Sequence, residues 1–364
     1  MKSTLPPESN VERLNVQRST FLEAVAAHFG GRPRQNELLA GHTTLRLGGP
    51  AEIWLAVESV SELVTAVTLA RQYDVPVFML GGGANLLIRD TGIRGLVIEN
   101  RANNVEIPSS PFKVGEGGKV KIVAESGAVL PNLARRCARH GLSGLEWAVG
   151  VPGTIGGAVV NNAGAYGSDM AHNLSRAELL APTGERLWQP VEWFEYGYRT
   201  SRLKKSSEVS SQKSVISSQS SEVSSQKSED PGLRSPVSGR EEGWIVLQAE
   251  LHLTAAPVAE IKARMDEFNR RRKASQPPGA TIGSMFKNPP GDYAGRLIEA
   301  AGLKGYKIGQ AQISPIHANF FQNLGGATAT EVLSLIEIAQ TTVESKFGVK
   351  LELEIEVVGE EGRN

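Results

Sequence analysis

Two glycine-dense segments constrain this 364-residue chain more than any other feature. The first, Leu80-Gly81-Gly82-Gly83-Ala84-Asn85-Leu86-Leu87, closes the strand-like run VPVFML. The second runs Val149-Gly150-Val151-Pro152-Gly153-Thr154-Ile155-Gly156-Gly157-Ala158 and continues as Asn161-Asn162-Ala163-Gly164-Ala165-Tyr166-Gly167. Glycine is used where backbone turns sharply or approaches another group closely. Three glycines after a buried strand expose successive N–H groups, which can form a concavity for an anion such as phosphate. The segment is not a P-loop, because no Gly-Lys-Ser/Thr follows. Leu86 also occupies the place of the third glycine in the dinucleotide fingerprint. Alone, a GGG run is more often a plain turn than a ligand site. The second segment carries little side-chain bulk, which suits a large flat ligand lying against main chain. A compact β-loop region is the alternative. Two such segments within one domain favour a phosphate-bearing cofactor.

Charge and cysteine content remove several classes. Thirty-nine basic residues balance 39 acidic ones, so the chain lacks the electrostatic footprint of a nucleic-acid or anionic-membrane binder. The single cysteine, Cys137, excludes an intramolecular disulfide framework and any four-cysteine metal site. The six histidines show no metal-ligand spacing, so no metal is expected. No apolar run reaches the roughly 18 residues of a membrane span. The first residues, MKSTLPPESNVERLNVQ, lack the apolar core of a secretory signal. A cytoplasmic, monomeric protein is expected.

Patterning along the chain predicts mixed helices and strands. Helices are expected over 11–29, from Ser61, over 132–140 and over 258–272. Another starts at a Thr328/Glu331 capping box, places Val332, Leu335, Ile336, Ala339 and Val343 on one face, and stops at Gly348. Strands are expected in VPVFML, GLVIEN, KVKIVAESGAVL up to Pro131, and WIVLQAELHLT. The run LELEIEVV alternates strictly. It predicts a strand with Leu351, Leu353, Ile355 and Val357 on one face and Glu352, Glu354 and Glu356 on the wet face. Elements in this order predict an α+β fold in at least two domains. Residues 204–242 differ in kind. SSEVSSQKS occurs twice in a Ser/Lys/Glu/Gln tract too poor in apolar residues to order itself, and a disordered surface insertion is expected.

Few side chains stand out as chemical candidates. Arg199, in Tyr198-Arg199-Thr200-Ser201, could hold a carboxylate or phosphate; a solvated loop arginine fits this segment better. Gly283-Ser284-Met285-Phe286-Lys287-Asn288-Pro289 could present a hydroxyl and two further donors to one ligand. It lacks the Gly-x-Ser-x-Gly elbow and a local histidine, so the serine fits an acid at least as well as a nucleophile. A polar turn fits equally. Glu354, on pattern alone, is a surface carboxylate. The basic run Arg270-Arg271-Arg272-Lys273 suits a helix C-terminus and could also meet a diphosphate.

Taken together, seven blocks resemble one family in order: TTLRLGGPA (43–51), LGGGANLLI (80–88), GVPGTIGGAVVNNAGAYG (150–167), FEYGYRTSRLK (194–204), GSMFKNP (283–289), KGYKIGQAQISPIHANF (304–320) and LELEIEVVG (351–359). The resemblance is to the UDP-N-acetylenolpyruvoylglucosamine reductase (MurB) family, in its shorter type II branch. It implies an FAD module of the vanillyl-alcohol-oxidase (PCMH) type, built of two α+β subdomains, over 40–253. An N-terminal extension over 1–39 would precede it, and a C-terminal UDP-sugar domain over 254–364 would follow.

The implied activity is that of a UDP-N-acetylmuramate dehydrogenase, in peptidoglycan precursor synthesis. NADPH is the reductant, FAD is bound non-covalently, and UDP-N-acetylglucosamine enolpyruvate is reduced at C3 and protonated at C2. By the same resemblance, Arg199 and Glu354 polarise the enolpyruvyl carboxylate, and Ser284 gives the proton to C2. Arg46, Gly81, Gly82, Gly83, Ala84, Asn85, Leu86, Gly150, Gly153, Thr154 and Gly157 contact FAD, while Tyr198, Lys287 and Asn288 contact substrate. The family pattern GGGSN has Ala84 in place of its serine here, which removes one hydroxyl. The PPGATIG segment before Ser284 is short, and the tract at 204–242 has no counterpart.

Overall fold

The computed structural model describes residues 10–109, 118–204 and 243–360. The serine-rich tract, apart from Lys204, lies outside the described residues.

A first sheet runs in the order Arg34–Leu38, Pro50–Val57, Ile93–Asn100, Val77–Leu80. Its last three strands are parallel. Parallel strands need both faces covered. Helix Val60–Gln72 covers one face, together with Phe21, Val25 and Phe29 of helix Asn10–Phe29. Ser59 starts the helix by accepting the Glu62 N–H, and Leu63, Ala66, Val67 and Ala70 are buried at the predicted helical spacing. Leu39, Trp54, Phe78 and Ile88 fill the other face.

A second sheet is antiparallel throughout. Its order is Arg186–Pro190, Leu174–Leu180, Ile245–Ala255, Lys119–Glu125, Val105–Glu106, with Leu142–Ser143 pairing beside Ile245–Ala255. Helices Leu130–Arg139 and Val258–Ser275 pack into its core through Leu133, Cys137, Ile261 and Met265. A third core lies against the short antiparallel sheet Lys307–Ile308, Ala311–Ile313, Phe321–Asn323, under helices Ala294–Ala300 and Ala329–Phe347. Leu45 and Leu47, between the first sheet's first two strands, and Leu87 of strand Leu86–Ile88 are buried in this third core. The architecture is α+β, with two sheets, each with its own core, ahead of a smaller C-terminal layer.

Two local expectations are corrected. The strand predicted to reach Pro131 ends at Glu125. Leu130 already begins a helix, with Pro131 in its first turn, where a missing N–H costs nothing and φ is preset. The alternating run at 351–357 is not one strand either; only Glu356–Val358 is, and it pairs parallel with Leu86–Ile88. Upstream, the chain bends at Glu354 and Ile355. The capping box on Ala329–Phe347 is present in full, and Gly348 ends the helix at φ 68°.

Candidate active site

The glycine turn after Val77–Leu80 packs against the Gly153–Gly157 segment, and the two together line a cavity of about 330 Å³. Close approach explains the glycines. A Cβ on Gly82 would stand 3.1 Å from Gly153 Cα, and one on Gly83 (φ 57°) would stand 2.3 Å from the His42 carbonyl oxygen. The crowding is thus between protein segments, and the turn is held from behind. The N–H groups of Gly82, Gly83 and Ala84 donate to no other backbone group among the described residues, and all three residues line the cavity, so these donors are available to a ligand there. This cradle fits the diphosphate of a dinucleotide cofactor.

Three distant segments bring side chains to the same cavity. Arg199 sits at the tip of a tight turn in which Gly197 and Thr200 exchange backbone hydrogen bonds. Its φ of 55° is left-handed, a strained geometry for a non-glycine residue. Arg199 Nε donates to Glu354 Oε1 at 2.6 Å. Its two terminal amino groups donate to nothing among the described residues and form a free fork suited to a carboxylate. Glu354 is placed from both sides. Its N–H donates to the Met285 carbonyl, and its own carbonyl accepts from Asn85 Nδ2 at 3.3 Å. Asn85 in turn accepts the Glu356 N–H through its carbonyl. The glycine turn and the Glu354 segment are therefore stitched together. The Glu354 side chain is 14% exposed, against 75% for Glu352. The wet-face reading of Glu354 fails because the bend brings this residue to the cavity. Ser284 bridges Phe320 and lines the cavity with Arg199 and Glu354.

The structure separates the remaining candidates. Gly81, Gly82, Gly83, Ala84, Asn85, Leu86, Gly153, Thr154 and Gly157 line the cavity. Arg46, Gly150, Tyr198, Lys287 and Asn288 do not. Arg46 is exposed between buried Leu45 and Leu47, and its carbonyl accepts from Asn323 Nδ2. Tyr198 is 60% exposed, with the Arg199 guanidinium 5.5 Å from its ring centroid. Lys287 Nζ pairs with Glu352 at 3.4 Å. Asn288 Oδ1 accepts the Ala294 N–H at the start of a helix. Gly150 makes room for Arg272, whose Cδ would be 2.7 Å from a Cβ there.

Sequence reasoning did not single out Arg272. Of the run 270–273, Arg270 and Arg271 pair with Glu267, while Arg272 lines the cavity. Burial pulls its guanidinium below the usual value, and no carboxylate among the described residues is paired with it. Helical phase carried the signal. Ile261, Met265 and Phe268 pack on the second core, and Arg272 follows them at spacing 4, 3, 4 on the same face. Buried Asn100 and Ser126, joined at 2.7 Å, also line the cavity, and nothing in the sequence pattern marked them. None of the six histidines, nor Cys137, is among the lining residues.

Fold and site define a flavoprotein. A family model described as an FAD binding domain matches residues 51–189, the span that holds the glycine turn and the 153–157 segment. A second, described as the C-terminal domain of UDP-N-acetylenolpyruvoylglucosamine reductase, matches residues 275–358, which include Ser284 and Glu354. The chain is 40% identical over 325 residues to the UDP-N-acetylenolpyruvoylglucosamine reductase of Rubrobacter xylanophilus, covering 89% of this chain and 95% of that protein. It is 40% identical over 333 residues to the reductase of the same name from Caldanaerobacter subterraneus subsp. tengcongensis, covering 91% and 95%. The crystal structure of the reductase (MurB) from Thermus caldophilus superposes with a TM-score of 0.65 at 35% identity, covering 89% of this chain and 98% of that one. The chain belongs to the UDP-N-acetylenolpyruvoylglucosamine reductase family, a family of oxidoreductases, and carries its FAD-binding domain.

Proposed function

We propose that the chain reduces UDP-N-acetylglucosamine enolpyruvate to UDP-N-acetylmuramate, with NADPH as reductant, as a cytoplasmic monomer. The convergence of Arg199, Ser284 and Glu354 on the cavity that carries the glycine cradle is the observation behind this reading. FAD, held non-covalently, supplies hydride transfer between NADPH and C3 of the enolpyruvyl ether. The chain's residues make the alkene a better acceptor. Hydride addition at C3 leaves enolate-like charge at C2 and the carboxylate, and a cation held against that carboxylate stabilises the charge as it develops. The free fork of Arg199 suits this, and Glu354 orients it through Nε. The Ser284 hydroxyl delivers the proton to C2. It is a weak acid, but an enolate carbon is a strong base, and placement makes up the difference. Arg272, near the end of its helix and lining the same cavity, would supply a positive charge to a diphosphate. Lys287, Asn288, Tyr198 and Arg46 lie outside the cavity, so roles for them in binding substrate or cofactor require the ligand to reach beyond it.

The proposed division is an FAD-binding unit over 40–253 and a UDP-sugar unit over 254–364. Helix Val258–Ser275 packs on the core of the former.

Anaerobic stopped-flow absorbance at the oxidised-flavin band tests the reaction. NADPH is added first, then the enolpyruvyl UDP-sugar. Bleaching followed by substrate-dependent recovery is expected. Bleaching reversed only by oxygen would replace the reductase with an oxidase-like activity.

A further inference from the structure

His42 is a partly buried titratable side chain that the proposed chemistry does not use. It closes the short turn Leu39–His42, and its side chain is 13% exposed. Nδ1 lies 2.7 Å from Glu99 Oε2, and Nε2 lies 3.1 Å from Glu37 Oε1. Carboxylates only accept, and a neutral imidazole carries a single N–H. Only the imidazolium, with two, satisfies both contacts. The other charges facing this cluster are Arg34, 3.3 Å from Glu37, and Arg101, 2.8 Å from Glu99 and 3.9 Å from Glu58. Trp54 lies beneath, its ring 5.0 Å from that of His42, with both guanidinium groups over it. The His42 hydrogen bond is the main cause that holds the Glu37 carboxyl below its usual range. Burial opposes it and Arg34 assists.

The cluster sits under the glycine turn. Glu99 is the register partner of Leu80, the residue before Gly81. The His42 carbonyl and Thr43 Cα form the floor against which Gly83 rests, at 2.3 and 2.7 Å from where a Cβ would stand. The Thr44 N–H and hydroxyl both donate to the Gly83 carbonyl, at 3.1 and 3.3 Å. Any shift of His42 therefore shifts the floor of the turn.

We propose that His42, an imidazolium clamped between Glu37 and Glu99, is a positioning residue that holds the Gly81–Gly83 turn in the shape that retains FAD. The inference rests on the reading of that turn as the cofactor's diphosphate cradle. The second contact needs the second proton, so the clamp is complete only while both ring nitrogens carry hydrogen.

Dilution of the flavin-loaded protein, followed by the fluorescence of released FAD, measures the dissociation constant from about pH 6 to pH 9. The unmodified chain is expected to bind about tenfold more weakly at the high end, the size of one charge-assisted hydrogen bond. His42→Gln is expected to bind about tenfold more weakly at the low end and to show a flat profile. Glu37→Gln, which leaves His42 in place, should fall between. Long-range proton–nitrogen spectra of the unmodified holoprotein at the low end of that range should show both His42 ring nitrogens protonated, and they decide the matter even if His42→Gln does not fold. An unchanged profile in His42→Gln, or one bare ring nitrogen at low pH, overturns the clamp alone. A chain that takes up no flavin at any pH overturns the reading of the turn and the clamp with it.

Discussion

The two walls of the cavity are built in opposite ways. The wall formed by Gly81–Ala84 and Gly153–Gly157 offers backbone and almost no functional side chains. The facing wall offers Arg199, Ser284 and Glu354 from segments 70 to 155 residues apart. The first is local, a turn packed against a neighbouring segment at van der Waals distance. The second exists only once the C-terminal layer has docked, because the Asn85–Glu354 and Asn85–Glu356 hydrogen bonds set its register. On the proposed function the backbone wall binds cofactor and the side-chain wall reacts, so damage to each should read out differently.

The largest effect is expected on the reacting wall. Ser284→Ala should slow substrate-dependent flavin reoxidation by about 10²- to 10⁴-fold, the range for a general acid. Bleaching by NADPH, flavin content and melting temperature should be unchanged. Stopped-flow traces and a thermal melt on the same sample check this, and unaltered reoxidation would remove Ser284 from the chemistry. Gly83→Ala should do the reverse. Its Cβ would press on the His42 carbonyl at 2.3 Å in a left-handed backbone, which costs about 3 kcal/mol through overpacking and strain. The expected outcome is a chain that purifies with little flavin and melts lower. Full flavin occupancy would show that the turn can relax without losing its ligand, and the two walls would then differ less than they look.

Arg272 lies at the seam and sharpens the contrast. Arg272→Met keeps the buried stem and removes the charge. If it faces a diphosphate, ligand affinity should fall about tenfold, in keeping with one charge-assisted contact. The step that follows binding should be unaffected. A rise in KM or in the flavin dissociation constant at constant kcat is the expected signature. A loss confined to kcat would move Arg272 to the reacting wall.

The same contrast explains what could be read from sequence. The binding wall was legible because its constraint is short-range; GGG after an apolar run predicts a tight backbone whatever the rest of the fold does. The reacting wall was not. Arg199 looked like a loop arginine, and Glu354 looked like one of three carboxylates on a wet strand face. Only resemblance across seven blocks brought them together. The alternation at 351–357 misled for a physical reason: Leu351 and Ile355 are buried as the pattern predicts, but a bend brings Glu354 and Glu356 to a cavity while Glu352 stays in solvent. Arg272 could have been found by extending the helical phase of Ile261, Met265 and Phe268. Asn100 and Ser126 could not, since a polar pair meeting across two sheets leaves no periodic trace.

The smallest expected effect concerns how the walls are held together. Asp90, in the loop after Leu86–Ile88, caps helix Ala329–Phe347 from 239 residues away. Its carboxylate accepts the Ala329 N–H at 2.9 Å, the Thr330 N–H at 3.0 Å and the Thr330 hydroxyl at 2.8 Å. Burial works against its charge, and these three donors outweigh burial, so the carboxyl is held below its ordinary range. The unfolded chain takes up this proton near about pH 3.9, the folded chain only at lower pH. The stabilisation is therefore full above the unfolded value and is lost as pH falls through the folded one. Asp90 is exposed, so screening limits the contribution to about 1 kcal/mol, typical of a cap. Asp90→Asn should lower stability by that amount at neutral pH, and the two chains should converge in acid, as pH falls through the folded carboxyl's titration. Urea denaturation of both at the two pH values measures the gap. A gap that persists in acid would mean that the contact acts through shape and not through charge. The docking of the two walls would then owe nothing to this carboxylate's ionisation.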